Sequence, residues 1–279
     1  MSTINAYATL SDFIHWLATR GLAGTVGVDT ADDAVIESLL VAASRYADGE
    51  RTFYPRIETR YYDLPDSVTL YLDDDLLDLT TLTNGEGTAI VASNYLCEPY
   101  NSPPYYKVKL RDTSTVNWLS SAAGSVQRVI SVLGWWGYRE LFSQRAWLSG
   151  GTLGAAITDT TTLAFTMTAG HSLVAGQIIK IESEIYNVAS VSTNTITPIK
   201  RGDNGSTAAT HANGTAVYVW QPMEDIKSAV LQIVGNMYAN RSGQSSSGRI
   251  TVTAAGVVIR PEDVPPMAAA TINRYRRLC

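Results

Sequence analysis

Carboxylates are the groups in this sequence best able to do chemistry, and they are unevenly placed. Six aspartates, Asp63, Asp66, Asp73, Asp74, Asp75 and Asp78, crowd one stretch, and Glu182 and Glu184 form a close acid pair in a threonine-rich segment further on. Clustered carboxylate oxygens suit a hard cation. The aspartate run lacks the spaced ligand loop that closes on a glutamate, however, so a turn or a solvated edge is the better reading. A carboxylate pair could also flank a glycosidic bond in a cell-wall enzyme. Two residues apart in a β-type run, Glu182 and Glu184 fall on one strand face, where a structural salt bridge is expected instead.

Other chemistries find less support. His15, His171 and His211, with Cys97 and Cys279, show no ligand spacing for zinc and are too scattered for a disulfide framework. Gly243 and Gly248 stand at the P-loop separation but lead into Arg249, without the Lys-Ser/Thr that would hold phosphate and magnesium, so this is a glycine-serine loop. The nucleophile-elbow pattern of serine hydrolases does not occur. Arg201-Gly202-Asp203 matches an adhesion tripeptide, which a glycine-driven turn explains. The expectation is a protein that is not an enzyme, with no catalytic residue, no cofactor and no metal.

Composition narrows the class further. A content of 45% hydrophobic and 17% charged residues is that of ordinary globular protein, and 279 residues suggest two domains. The formal net charge of −5 argues against gripping nucleic acid over a broad face. Uninterrupted apolar runs are too short to cross a bilayer, and the first residues lack the regions of a signal peptide, so synthesis and use in a cytosol are expected. Charge is polarised: the aspartate run is acidic, whereas Arg274, Arg276 and Arg277 have no nearby acid. Such polarity suits head-to-tail docking.

The elements that position these residues follow from periodicity. Ser11 can cap a short helix carrying Phe13, Ile14, Trp16 and Leu17. A longer helix begins after Asp29 or Thr30, with Asp32 and Asp33 in its first turn and an apolar stripe through Ile36, Leu40, Ala43, Tyr46 and Ala47. Strands are then predicted over 57–62, 68–72 and 76–83, turning through Asn84-Gly85-Glu86-Gly87 into 88–92. Residues 95–106 read as an extended proline and aromatic loop, and 106–110 and 126–133 as further strands, the last leading to Trp135-Trp136. Between Gly150 and Trp220, short β-branched runs separated by glycine turns indicate an inserted small barrel or sandwich. A helix returns after Pro222, carrying Ile226, Val230, Ile233, Val234 and Tyr238.

The last segment is the most suggestive. Arg260-Pro-Glu-Asp-Val-Pro-Pro stiffens an arm that leads into a short basic helix bearing Met267, Ile272, Tyr275 and Leu278. A helix this short is marginal in water, so it is expected to complete its folding against a partner.

Taken together, the acid-started helix ending near Tyr54-Pro55, Tyr61-Tyr62, the hairpin, the Tyr95 to Tyr105 loop, Gly134-Trp135-Trp136-Gly137-Tyr138 and the helix opened by Glu224-Asp225-Ile226 resemble the head-to-tail connector (adaptor, head completion) proteins of long-tailed bacteriophages. Within the insertion, Ile181 to Val188, Lys200 to Ala208 and His211 to Val217 resemble a small β-domain recurring in phage virion proteins. The implied fold class is α+β: a helical connector domain with a small antiparallel sheet (1–148 and 221–245), an all-β barrel or sandwich insertion (149–220), and an extended C-terminal arm (246–279) ending in a short helix. The resemblance implies a homo-oligomeric, dodecameric ring in the virion neck, assembled in the host cytoplasm. Its partners would be the portal protein and a tail-side neck or tail-terminator protein, with DNA passing through the channel unbound and no membrane involved. Met267, Ile272, Arg274, Tyr275, Arg276, Arg277 and Leu278 would form the portal interface, and Asp63, Asp66, Asp73, Asp74, Asp75 and Asp78 would line or rim the channel. The competing expectation is a tail or baseplate scaffold whose β-insertion binds a cell-surface sugar.

Overall fold

The structure is a computed structural model that describes residues 4–20, 30–49, 51–241, 251–252, 258–259 and 264–276. In chain order its helices are α1 (Leu10–Thr19), α2 (Thr30–Asp48), α3 (Phe142–Arg145), α4 (Glu224–Arg241) and α5 (Pro266–Asn273). Its main strands are β1 (Arg56–Tyr62), β2 (Thr69–Thr83), β3 (Ala89–Ile90), β4 (Tyr95–Glu98), β5 (Tyr105–Leu110), β6 (Ile130–Trp136), β7 (Trp147–Thr152), β8 (Phe165–Thr166), β9 (Ile178–Ile181), β10 (Glu184–Ser192), β11 (Thr195–Pro198) and β12 (Ala216–Trp220). A short antiparallel pair joins Thr251–Val252 to Val258–Ile259. The fold is mixed helix and sheet with two larger antiparallel sheets.

Packing divides the chain into two compact units, one of residues 1–50, 148–203 and 207–279, the other of 51–147 with 204–206. The sequence reading groups the first helices with the sheet of 56–136. In the structure those helices share a unit with the β-insertion instead.

In the first unit, α1 is started by Thr9 and not by Ser11. The Thr9 hydroxyl accepts from Asp12 N at 3.1 Å while Thr9 N donates to Asp12 Oδ2 at 2.8 Å, a reciprocal capping box that Ser11 could not close. Phe13 and Leu17 then face inward. On α2, Ile36, Leu40, Ala43 and Ala47 are buried, whereas Tyr46 leaves the expected stripe and is 50% exposed. Helix α4 is the hub, with Ile226, Val230, Ile233 and Val234 fully buried. At Gly235 a methyl group would stand 2.6 Å from the Trp16 ring, so the glycine is what lets α1 approach α4. Tyr238 OH donates to Asp32 Oδ2 at 2.9 Å and ties α4 to α2.

The β-insertion has the strand order β7-β12-β9-β10-β11-β8. Just beyond the two outer strands, Leu153 and Met167 form a bridge, and Gly154 N donates to Thr166 O at 2.8 Å. Its inner face is built from Ile179, Ile181, Tyr186, Val188, Ile196 and Val217, all without exposed surface. Each such side chain contributes about 1.5–3 kcal/mol through burial.

The second unit is an antiparallel sheet ordered β1-β6-β2-β5-β4, with β3 paired to the end of β2. Where the sequence suggests two strands around the aspartates, the structure has one continuous β2. It pairs with β5 over Thr69–Tyr71 and with β6 over Leu76–Thr83, with irregular register between. Bulges let a strand bend and change partner without ending, which is why the acids interrupt the pairing but not the strand. The Asn84 turn closes as expected, Gly87 N donating to Asn84 O at 2.9 Å. The 95–106 segment is not loop throughout: Tyr95–Glu98 pairs with β5 as β4. Strand β6 is shifted toward the tryptophans, and Trp136 is fully buried, its Nε1 donating to Glu58 O at 3.0 Å.

Candidate interaction surfaces

The aspartate run is mostly neutralised from within its own unit. Asp74 is buried between two arginines of β1: it accepts from Arg60 Nη2 at 2.7 Å and makes a closer contact with Arg56. Asp73 accepts from Arg60 Nη1 at 2.8 Å and from Tyr62 OH at 2.5 Å. Burial alone would push the Asp73 carboxyl up, but the hydrogen bonds from Tyr62 and Arg60 hold it below the usual carboxylate value. Arg60 in turn lies over the Trp136 ring at 4.6 Å. Asp75, 3% exposed, lies 3.3 Å from Arg51 Nε. Asp63 accepts from Arg128 N at 2.7 Å and keeps an exposed position, as do Asp66 and Asp78. The channel-lining expectation therefore needs correction at Asp74 and Asp75, which are buried, whereas Asp73 stays exposed with its carboxylate bound by Arg60 and Tyr62.

The same unit exposes aromatic surface that the sequence reading places in strands and a loop but does not nominate. Tyr61, Tyr71, Tyr100 and Tyr106 are 53%, 68%, 65% and 50% exposed. Tyr71 is the strand partner of Lys107, whose Nζ lies 5.6 Å from the Tyr106 ring and 2.7 Å from Glu98 Oε2. Arg128 approaches the Tyr61 ring at 5.7 Å. Alternation was the available signal: Leu70 and Leu72 are inside, so Tyr71 between them points out.

Comparison with known proteins gives nothing to lean on. No family model, curated protein or solved structure matches this chain.

The terminal helix differs from expectation. Helix α5 packs on α4 of its own chain: Ala268 is fully buried, Tyr275 is 9% exposed, and its hydroxyl donates to Asp225 Oδ2. Tyr275 is thus an internal anchor, since its ring already has a partner within the chain. Met267, by contrast, is 73% exposed, Arg274 and Arg276 are exposed, and Ile272 is half-buried. Arg277 and Leu278 lie outside the described residues.

In the β-insertion, Glu182 and Glu184 do not share a strand face. Glu182 sits in the turn between β9 and β10, and Glu184 begins β10 fully buried. The Glu184 carboxylate accepts from Arg201 Nε at 2.9 Å, Arg201 Nη2 at 3.0 Å, Gly202 N at 2.9 Å, Ala209 N at 2.8 Å and His211 Nε2 at 3.0 Å. Burial opposes its charge, but these donors outweigh it and lower its pKa to about 2. The expected salt bridge is present, with Arg201 as its basic partner. Asp203 of the Arg-Gly-Asp triplet is likewise internal, accepting from Asn187 Nδ2 at 2.6 Å.

Among the described residues, the cavities open to solvent include these two. One of about 240 Å³ lies between residues 6–12, 174–178 and 219–222, with the Asp12–Lys227 ion pair at 2.7 Å among its walls. The other, of about 290 Å³, lies under the Asn84 turn beside Val91 and Leu119. Among the described residues no cluster of His, Cys, Asp and Glu could hold a metal, and no helix is long and apolar enough to cross a membrane.

Proposed function

We propose that this chain is a structural subunit of a tailed-phage virion, assembling into a ring in the neck that joins the capsid portal to the tail and lets DNA pass through its channel. The observation that carries the reading is the division of α5 into two sides. Ala268 and Tyr275 dock the helix on α4, while Met267, Arg274 and Arg276 are exposed as an apolar and basic edge. Arginine suits carboxylates and carbonyl oxygens on a partner, and methionine adapts to an imperfect groove. The exposed tyrosines of the sheet unit supply rigid, amphipathic contact area of the kind that side-to-side ring interfaces use. Asp63, Asp66, Asp73 and Asp78 are the exposed acids of the run that could repel phosphate along a channel. The hydrogen-bonded junction of β7 and β8 favours reading the insertion as a closed barrel. A sugar-binding role for it is disfavoured because Phe165 and Tyr186 are buried within it, which leaves Tyr218 as a lone exposed aromatic between residues 151 and 219.

The test mixes purified chain with portal particles. Wild-type chain is expected to co-sediment, and a Met267→Glu, Arg274→Glu, Arg276→Glu variant is expected to remain in the supernatant while keeping its fold, because none of the three is a buried contact. Equal co-sedimentation of the variant, or none by the wild type, would overturn the reading.

A further inference from the structure

The His211 ring is the most constrained titratable group that the assembly role leaves unused. The residue is 3% exposed, yet both ring nitrogens face carboxylate oxygens: Nδ1 lies 2.7 Å from Glu182 Oε2 and Nε2 lies 3.0 Å from Glu184 Oε2. An ionised carboxylate only accepts, and a neutral imidazole carries one donor and one acceptor. Both contacts are hydrogen bonds only when the ring is the imidazolium.

The two carboxylates are not equivalent. Glu184 is fully buried and held as an anion by Arg201 and by the amides of Gly202 and Ala209, so the Nε2 proton has a fixed acceptor. Glu182 has a side chain 61% exposed and stands in the turn with φ of 53°, a left-handed conformation that costs a glutamate free energy. Nδ1 is therefore the nitrogen that can release its proton toward solvent, and Glu182 is the partner that must then move.

We propose that His211 is a pH-sensitive latch on the β9–β10 turn, clamping Glu182 while the ring is doubly protonated and releasing it when Nδ1 is bare. The charged groups that face the ring directly are Glu182 from the turn and Glu184 from β10, with Arg201, beyond β11, paired to the far side of Glu184. Segment 153–157 meets His211 through its backbone at Ile157, the two residues exchanging N–H to O bonds of 2.9 Å, and carries no charged side chain. With the imidazolium, two cations balance two carboxylates. With the neutral ring, one negative charge is in excess, and it is the exposed Glu182 that can take it into water. The clamp is thus present at the acid end and lost as pH rises. The Glu184–Arg201 pair does not depend on it.

The test is an upward pH titration of the full chain by heteronuclear NMR, following the His211 ring nitrogens and the amides of Glu182, Ser183 and Ala209, beside a Glu182→Gln variant. A glutamine amide can accept from Nδ1–H and, rotated, donate to bare Nδ1, so it holds the turn in either state. In the wild type the Glu182 and Ser183 amides should shift, and exchange about tenfold faster, in step with loss of the Nδ1 proton, while Ala209 stays protected. In the variant the turn should not respond. A ring with one proton throughout, a turn that ignores the ring's titration, or a variant that responds like the wild type would each refute the latch.

Discussion

In the sheet unit, exposed Asp73 and buried Asp74 of β2 are met by Arg56 and Arg60, long side chains that arrive from β1 and keep part of their length in water. In the β-insertion, Glu184 is out of water altogether, and five donors, two of them backbone amides, converge on one carboxylate. The contrast is between a network that can rearrange and one that cannot. A partly exposed arginine that loses one acid can turn to another or to solvent at smaller cost. A buried guanidinium that loses its carboxylate has nowhere to go, and the buried ring of His211 loses its partner with it.

The largest expected effect follows directly. Glu184→Ala strands Arg201 and His211 and leaves the Gly202 and Ala209 amides without their acceptor, so a loss of about 3–5 kcal/mol is expected, enough to unfold the insertion. Urea denaturation followed by NMR of the Ile179 and Val217 methyl groups checks this. If the β-insertion loses less than the sheet unit does on Asp74→Ala, the comparison is backwards.

Acid provides a second separation. Glu184 has a folded-state pKa lowered to about 2 from an ordinary 4.5, so the stability it contributes is fully present above 4.5 and is lost as pH falls through about 2. Asp73 is also lowered, but its exposed carboxylate couples more weakly to folding. The insertion's signals should therefore show the steeper decline on acidification, measured by urea midpoints from the ordinary carboxylate range downward. An intermediate effect belongs to Asp74. Its replacement by alanine is expected to cost about 1.5–3 kcal/mol, as for hydrogen bonds to charged groups, against less than about 1 kcal/mol for Asp73→Ala. A double-mutant cycle with Arg60→Leu should place most of the coupling on Asp74.

The two clusters also differ in how far the sequence reveals them. The acids are conspicuous in both, but their partners are separated along the chain: Arg60 lies before the aspartate run and Arg201 well after Glu184, and only strand pairing brings each into reach. Helices α2 and α4 are legible because helical period is local, and so is the Asn84 turn. Thr9 is missed as the cap because Ser11 is an equally good hydroxyl, and only its spacing to Asp12 decides. The continuity of β2 is missed because acids look like a break when their arginine partners are unknown. The seat of α5 on α4 is missed for a related reason: a short helix reads as unsupported when the surface that receives Ala268 and Tyr275 is formed by a helix some forty residues earlier, roughly three turns of whose face is already apolar.

The smallest stability effect is expected where the association effect should be largest. Tyr71→Ala removes a ring that is 68% exposed and lies on the outward side of a strand whose inward neighbours, Leu70 and Leu72, hold the core. Folding stability should change by no more than about 0.5 kcal/mol, as for surface sites away from packed features. Self-association should nevertheless weaken, because exposed tyrosine contributes contact area only once a partner covers it. Sedimentation velocity over a concentration series separates the two quantities. A variant that unfolds more easily but associates as before would place Tyr71 in its own subunit's support, and the outer face of the sheet would cease to be a candidate ring contact.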